Sequence, residues 1–231
     1  DRSRPPHPEH LEDRWIISRL NSLTTYAQNQ YDQFWIYPLI SELERFWDDL
    51  SNWYVRLSRR RFWKSQADDD KRAAYATLHE VLVTTLKVMA PVAPFISEEM
   101  HQNLTPGVEP GKARTIFLDD WPTADPSLMD KDLESEMVVV RSVVSLGRAA
   151  RSASQTKVRQ PLSELVLGLP RLKDRDSIQK HLQIVLHEVN VRAVRFVESG
   201  DEILNHSVKP NYRLLGPRFG ERIREIEHAL D

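Results

Sequence analysis

The chain has no cysteine and only seven glycines among its 231 residues. Without cysteine it can form neither disulfides nor thiolate metal sites, which fits a reducing compartment such as the cytoplasm. The scarcity of glycine favours helix over sheet. No apolar run approaches the roughly 20 residues that a membrane-spanning helix needs. The polar, proline-rich start does not resemble a signal peptide.

The chain also has no excess of positive charge: it contains 32 lysines and arginines and 34 acidic residues, so its net charge is −2. Any contact with nucleic acid must therefore come from local clusters of cations. Catalytic motifs are absent as well: there is no glycine-rich phosphate loop and no Gly-x-Ser-x-Gly sequence. Common nucleotide-binding and hydrolase sites are thereby excluded from this sequence.

Two weak alternatives for a metal or catalytic site can be weighed. His181, His187 and Glu188 are the nearest approach to a ligand set, but six residues place the two histidines on different helix faces. Glu98 and Glu99 could form an acid–base pair, yet carboxylates in a first helical turn are explained by the helix dipole. The sequence therefore predicts no metal site and no catalytic residue.

Residues 31–64 combine aromatic and basic side chains more densely than any other stretch, with ten of the nineteen aromatic residues of the chain. The last nine residues of this stretch contain no acid. At 100° per residue, one arc of about 120° collects cations and indoles. The arc contains Trp53, Arg56, Arg59, Arg60 and Trp63. A plain packed helix whose C-terminal dipole attracts cations and a polyanion site both remain open.

Hydrophobic periodicity predicts five helices, and Asp68 is the expected N-cap of the third. Their predicted ranges are 11–30, 34–62, 68–89, 95–104 and 130–156. Residues 105–126 form a long loop in which Ile116, Phe117, Leu118 and Trp121 are expected to fold back on the core as an apolar clip. A second acid-free run lies between residues 137 and 163. Its cations are Arg141, Arg148, Arg151, Lys157 and Arg159.

Beyond residue 156 the pattern changes to alternating apolar residues, which is typical of half-buried strands. Strands are predicted at 163–167 and 189–197, with a helix at 178–186 between them, a loop at 208–220 and a closing helix at 220–229. We therefore predict a mainly α protein: a linker or cut end at 1–10, a helical bundle at 11–156 and a small α/β unit at 157–231.

The run DDLSNWYVRLSRRRFW at 48–63 resembles the signature of the anticodon-binding helical domain of isoleucyl-tRNA synthetases, a class I aminoacyl-tRNA synthetase family. Six further stretches resemble this family in the same order along the chain. They are DRWIISRLN at 13–21, AYATL at 74–78, APVAPFISEE at 90–99, IFLDDWP at 116–122, KVRQPL at 157–162 and VKPNYRLLGPRFG at 208–220. The Pro-Phe-x-x-Glu-Glu turn is shared by several class I synthetases and is weakly specific, whereas the Asn-Trp-Tyr-Val-Arg run is much sharper.

The resemblance implies the C-terminal, tRNA-binding part of an enzyme that attaches isoleucine to its tRNA with ATP and Mg²⁺. The His-Ile-Gly-His and Lys-Met-Ser-Lys-Ser motifs and the editing domain of that family do not occur in this sequence. We therefore expect a fragment that holds no cofactor and is inactive alone. The implied partners are the anticodon arm of isoleucine tRNA and the rest of the synthetase in cis, in a cytoplasmic monomer without membrane contact.

On this resemblance, the first basic cluster contacts the anticodon stem-loop and the second lines the stem, while Trp53 and Tyr54 belong to the core. The first cluster is Arg56, Arg59, Arg60, Arg61, Trp63 and Lys64, and weaker candidates are Lys209, Asn211, Tyr212 and Arg218. Two alternatives remain. The chain could belong to a valyl or leucyl relative, or it could be a helical protein-interaction module, which would show an exposed apolar patch.

Overall fold

The computed structural model describes residues 8–64, 68–105 and 115–198, together with Gly220. Helices dominate these ranges and the only sheet within them has two strands, so the prediction of a mainly α fold is confirmed. The chain divides into two compact units between Met137 and Val138. The predicted domain boundary at 156/157 stays a prediction. None of the helices in these ranges is long and apolar enough to cross a membrane.

The first helix, α1, spans Leu11–Asp32 and supplies the centre of the first unit. Trp15, Ile16, Leu23 and other residues at three- and four-residue steps are fully buried, as the periodicity predicted. The helix ends at Asp32 with Gln33 as its C-cap, and Phe34 then adopts a left-handed backbone conformation with φ of 56°. This reversal returns the chain along α1.

The single helix predicted at 34–62 is instead built from four pieces. They are α2 (Ile36–Asp48), a π-helical segment (Asp49–Tyr54), α3 (Val55–Leu57) and α4 (Arg59–Phe62). The wider π-helical turn places Asp49, Leu50, Trp53 and Tyr54 together on the buried side. The expected burial of Trp53 and Tyr54 is confirmed, but the uniform 100° spacing used to predict the basic arc does not hold across this segment.

Helix α5 spans Asp69–Met89 and begins as predicted, because the Asp68 carboxylate accepts a hydrogen bond from the backbone N–H of Lys71. Helix α6 follows at Pro94–Leu104. The apolar clip is confirmed in part: Ile116 is buried against Leu86 and Ala90, at the start of a 3₁₀ turn that spans Ile116–Leu118.

Glu98 fastens this clip, because its carboxylate accepts hydrogen bonds from the Ile116 N–H (2.9 Å) and the Thr115 hydroxyl (3.0 Å). The backbone N–H of Ile116 holds the pKa of Glu98 below its ordinary value. Glu98 lies past the first turn of α6, so the helix dipole is not what determines its position. The clip is thus attached to the end of α5 by an apolar side chain and to α6 by a charged acceptor.

Helix α7 spans Lys131–Ala153 and contains the division between the two units. The second unit continues with β1 (Leu162–Gly168), α8 (Leu172–Lys180), α9 (Leu182–Val189) and β2 (Val191–Val197). The two strands are parallel, with Leu165 opposite Val194, and two helices form the crossover between them. Asn190 ends α9 with φ of 55°, the left-handed cap conformation that asparagine tolerates.

Candidate nucleic-acid interface

The segment from α3 to Lys64 presents three arginines and one tryptophan to solvent. Arg56, Arg59 and Arg60 are exposed, and Trp63 has 69% of its surface accessible. The guanidinium carbon of Arg59 lies 4.1 Å from the centre of the Trp63 ring, in a cation–π contact. This contact fixes the indole beside the positive charge. A flat ring and planar cations held together can stack on bases and bind phosphates.

Arg61, in the same short helix, points the other way and is buried. Its Nη2 lies 2.8 Å from Asp13 Oδ2, and its Nε lies 2.6 Å from Asp70 Oδ1. Burial alone would lower the pKa of Arg61, but the hydrogen bonds and charges of Asp13 and Asp70 raise it above its ordinary value. Its predicted contact with tRNA stays a prediction, while the structure gives it another role, which is to tie α4 to α1 and α5.

Tyr54 completes this buried group, since its hydroxyl donates a hydrogen bond to Asp13 Oδ1 over 2.8 Å. Burial raises the pKa of the Tyr54 hydroxyl, and the Asp13 carboxylate raises it further. The π-helical segment and α4 are therefore anchored to α1 through one carboxylate. Because the anchor lies beneath the surface, the exposed arginines of α3 and α4 are held on a rigid support.

Although the last nine residues of the first basic run contain no acid, carboxylates that follow it in the chain neutralise Lys64. Lys64 Nζ lies 2.5 Å from Asp70 Oδ2 and 3.2 Å from Asp68 Oδ2. The hydrogen bond to Asp70 is the main reason why the pKa of Lys64 is raised. Asp70 is partly desolvated, but hydrogen bonds from Lys64 and Arg61 lower its pKa. The acids come from the start of α5, which folds back beside α4.

The second basic cluster is also divided between interior and surface. Arg151 is buried and donates hydrogen bonds to the carbonyl oxygens of Val189 and Asn190, each over 2.8 Å. Arg148 forms an ion pair with Glu188 and donates to its carbonyl oxygen over 3.3 Å. Their shared helix face therefore packs against the end of α9. The sequence around Arg148 contains no acid, and its carboxylate partner Glu188 lies 40 residues further along the chain.

Lys157 and Arg159 follow α7 and are exposed, whereas Arg141 is half-buried and has an interaction of its own within the protein. The weaker candidates Lys209, Asn211, Tyr212 and Arg218 lie outside the described residues. For all of these residues, binding to tRNA stays a prediction. Within the described ranges, no group of three or more histidine, cysteine or acidic side chains could hold a metal ion.

A further polar network was missed from the sequence. Arg19 of α1 lies 2.9 Å from Asp49 and 2.8 Å from Glu42, and both carboxylates belong to the chain that folds back along α1. Asp49 is buried at the first residue of the π-helical segment. Asp13 and Arg19 are charged residues on the mainly apolar, buried side of α1. They could have predicted ion pairs, because buried charges require partners.

Comparison with known proteins gives a consistent result. The family described as "Anticodon-binding domain of tRNA ligase" matches residues 13–166. The isoleucine–tRNA ligase of Thermus thermophilus is 40% identical over 235 residues, covering 100% of this chain and 22% of the relative. Those of Clostridium acetobutylicum and Streptomyces coelicolor are each 41% identical, covering 96% and 97% of this chain and 21% of each relative. The chain thus spans about a fifth of the length of these relatives.

Proposed function

Because the chain belongs to the family of anticodon-binding domains of tRNA ligases, we propose that it is the tRNA-binding part of an isoleucine–tRNA ligase. The whole enzyme would attach isoleucine to its tRNA with ATP and Mg²⁺, in the cytoplasm and as a monomer. Its catalytic and editing domains would lie outside this chain, which would be inactive alone and hold no cofactor. Similarity to isoleucine–tRNA ligases along the full chain supports the choice of amino acid.

The ligand of the interface is the anticodon stem-loop of isoleucine tRNA. The observation that carries this assignment is the exposed set of Arg56, Arg59, Arg60 and Trp63 on a buried ionic anchor. Unpaired loop bases can stack on an aromatic ring, and arginine binds phosphate oxygens through paired N–H groups. The Arg59–Trp63 contact offers both groups at one point.

Lys64 belongs to the proposed surface of the first unit as a phosphate contact, and Arg61 supports that surface from beneath through Asp13 and Asp70. In the second unit, the exposed Lys157 and Arg159 are proposed to contact phosphates of the stem, whereas Arg148 and Arg151 are held by protein partners within that unit. We separate supporting arginines from contact arginines by their hydrogen bonds: a guanidinium that already donates its N–H groups to buried acceptors has few left for a ligand.

The test is a titration of the chain with isoleucine tRNA at several salt concentrations. Replacing both Arg59 and Arg60 with alanine is expected to weaken binding and to flatten the log–log salt slope by roughly 0.7–0.9 for each phosphate that is no longer neutralised. Arg171→Ala, at an exposed position on the second unit, serves as the matched control and is expected to leave both quantities unchanged. Unchanged affinity and slope in the double variant would refute this surface.

The amino acid assignment has its own test. The same titration with valine and leucine tRNAs separates isoleucyl from valyl and leucyl families, and isoleucine tRNA is expected to bind most tightly. Equal binding of the three tRNAs would remain consistent with a surface that contacts tRNA phosphates, but it would contradict recognition of an isoleucine anticodon.

A further inference from the structure

Large apolar side chains are exposed at the end of the bundle that is remote from the arginines. We call this surface the aromatic end and define it by Phe34, Trp35, Tyr37, Phe95 and Ile96. Phe34 and Phe95 have 88% and 90% of their surfaces accessible, and Trp35 has 63%. An exposed apolar patch is what the hypothesis of a protein-interaction module required, and exposed patches of this kind mark interaction sites.

Hydrogen bonds and ring contacts show that the turns carrying these residues meet at one end. Tyr31, near the end of α1, donates a hydrogen bond from its hydroxyl to the carbonyl oxygen of Val88, near the end of α5, over 2.9 Å. Its ring also packs edge-on against Trp121 at 5.4 Å. The turn from α1 to α2 and the turn from α5 to α6 therefore lie side by side. Burial raises the pKa of Tyr31 to about 12.

The aromatic end and the proposed tRNA surface lie at opposite ends of α1. Arg61 of α4 binds Asp13 in the first turn of α1, whereas Phe34 follows the last turn. At 1.5 Å per residue, the 22 residues of α1 separate these two ends by about 33 Å. One anticodon loop packed against the arginines is therefore not expected to cover both surfaces.

Phe34 combines high exposure with backbone strain. Its φ of 56° is a conformation that bulky residues rarely adopt, and it costs about 1 kcal/mol that glycine would not incur. The exposed ring gains no packing within the described residues that would offset this cost. Backbone strain of this kind clusters at sites of function and of contact with ligands.

The charge around the aromatic end argues against a nucleic acid. Residues 28–41, 88–99 and 115–122 contain no lysine or arginine, but five acids: Asp32, Glu98, Glu99, Asp119 and Asp120. The nearby Lys87 is held by Asp119, with Nζ 3.0 Å from Oδ2. Phosphates would be repelled here, while a protein surface with an apolar centre and a basic rim would be attracted.

We propose that the aromatic end is the surface on which the rest of the synthetase polypeptide packs. This inference rests on the proposed function, since it requires that the chain be one part of a longer ligase. Relatives of this chain are about five times as long, so most of such a protein lies elsewhere and must be positioned relative to the anticodon-binding part. Docking buries the strained Phe34 ring and its aromatic neighbours, and the exposed acids Asp32, Glu99 and Asp120 face cations of the docked domain.

Hydroxyl-radical footprinting of the full-length ligase that carries this chain tests the proposal. Trp35 and Trp63 serve as an internal comparison, because both are tryptophans and similar fractions of their surfaces, 63% and 69%, are accessible in this chain. In the full-length enzyme without tRNA, Trp35 is expected to be oxidised several-fold more slowly than Trp63. Adding isoleucine tRNA is expected to protect Trp63 and to leave Trp35 unchanged.

Three outcomes would overturn the proposal: equal oxidation of Trp35 and Trp63 before tRNA is added, protection of Trp35 only after tRNA is added, or protection that disappears on dilution. The second would identify an RNA surface and the third a second copy of the chain. Failure of Trp63 to respond to tRNA would instead count against the proposed tRNA surface, whatever Trp35 does. The two failures are thus distinguishable.

A variant adds a second readout in the same enzyme. Phe34→Asn removes the ring but keeps a residue that tolerates positive φ, so the turn itself should form. Weaker docking is expected to raise oxidation of Trp35 towards that of Trp63. Leu172→Asn removes an exposed apolar side chain from the second unit and is expected to change neither tryptophan. Continued protection of Trp35 in Phe34→Asn would exclude this ring from the contact.

Discussion

Replacing Arg61 with methionine tests the buried anchor beneath the proposed tRNA surface. Methionine keeps much of the side-chain volume but leaves the Asp13 carboxylate, which is 1% exposed, with the Tyr54 hydroxyl as its remaining partner within this group. Removing one member of a buried ion pair costs about 3–5 kcal/mol of unfolding free energy. Because the Tyr54 hydrogen bond remains, we expect a loss of about 3 kcal/mol.

Equilibrium urea unfolding followed by tryptophan fluorescence measures this loss. All six tryptophans lie before residue 122, so the signal reports on the first unit alone. Arg60→Met changes an exposed neighbour in α4 and should alter stability by no more than about 0.5 kcal/mol. Adding Asp13→Asn to Arg61→Met should reveal a coupling of about 1–3 kcal/mol. If Arg61→Met is as stable as Arg60→Met, the ion pair does not hold α4 in place.

Three further predictions concern the clip and the second unit. Since the pKa of Glu98 is lowered in the folded state, the stability that its hold on Ile116 contributes should be complete above the ordinary pKa of about 4.3 and lost as pH falls through the lowered value; a protection factor of the Ile116 amide, relative to the unfolded exchange rate at each pH, that stays constant over this range would contradict this. Asn190→Ala should cost about 1 kcal/mol more than Asn190→Gly in thermal unfolding, because alanine is strained at φ of 55°; equal stability would exclude that strain. At Gly147, a Cβ would lie 3.1 Å from Val189, so Gly147→Ala should destabilise by about 1 kcal/mol despite its better helix propensity; Val189→Ala should relieve this, and a stabilised single variant would refute the clash.

Local signals predicted most of the architecture. The apolar stripe of α1, the Asp68 N-cap of α5 and the alternating residues of β2 each depend on neighbours within a few positions, and all three elements occur where they were expected. The parallel pairing of the two strands was not predicted, because it depends on the path of the crossover helices and not on the pattern within either strand.

The contacts that were not predicted join residues that are remote in sequence. Arg61 meets Asp13 across 48 positions, and Arg148 meets Glu188 across 40. A count of acids within a helical turn does not detect such partners, so both arginines looked available for a ligand. Exposed Arg59 and Trp63, four residues apart, were the pair that local spacing could identify correctly as neighbours.

The π-helical segment lets the chain carry one residue more than a regular helix without changing the direction of the arginines that follow. A π-helical turn accommodates one residue more than an α-helical turn, so it is equivalent to a single-residue insertion that the wider turn absorbs. Deleting the exposed Ser51 or Asn52 would restore regular α-helical winding and leave Arg56 and Arg60 close to their present direction. In a regular α-helix the same deletion would instead rotate every later residue by about 100°.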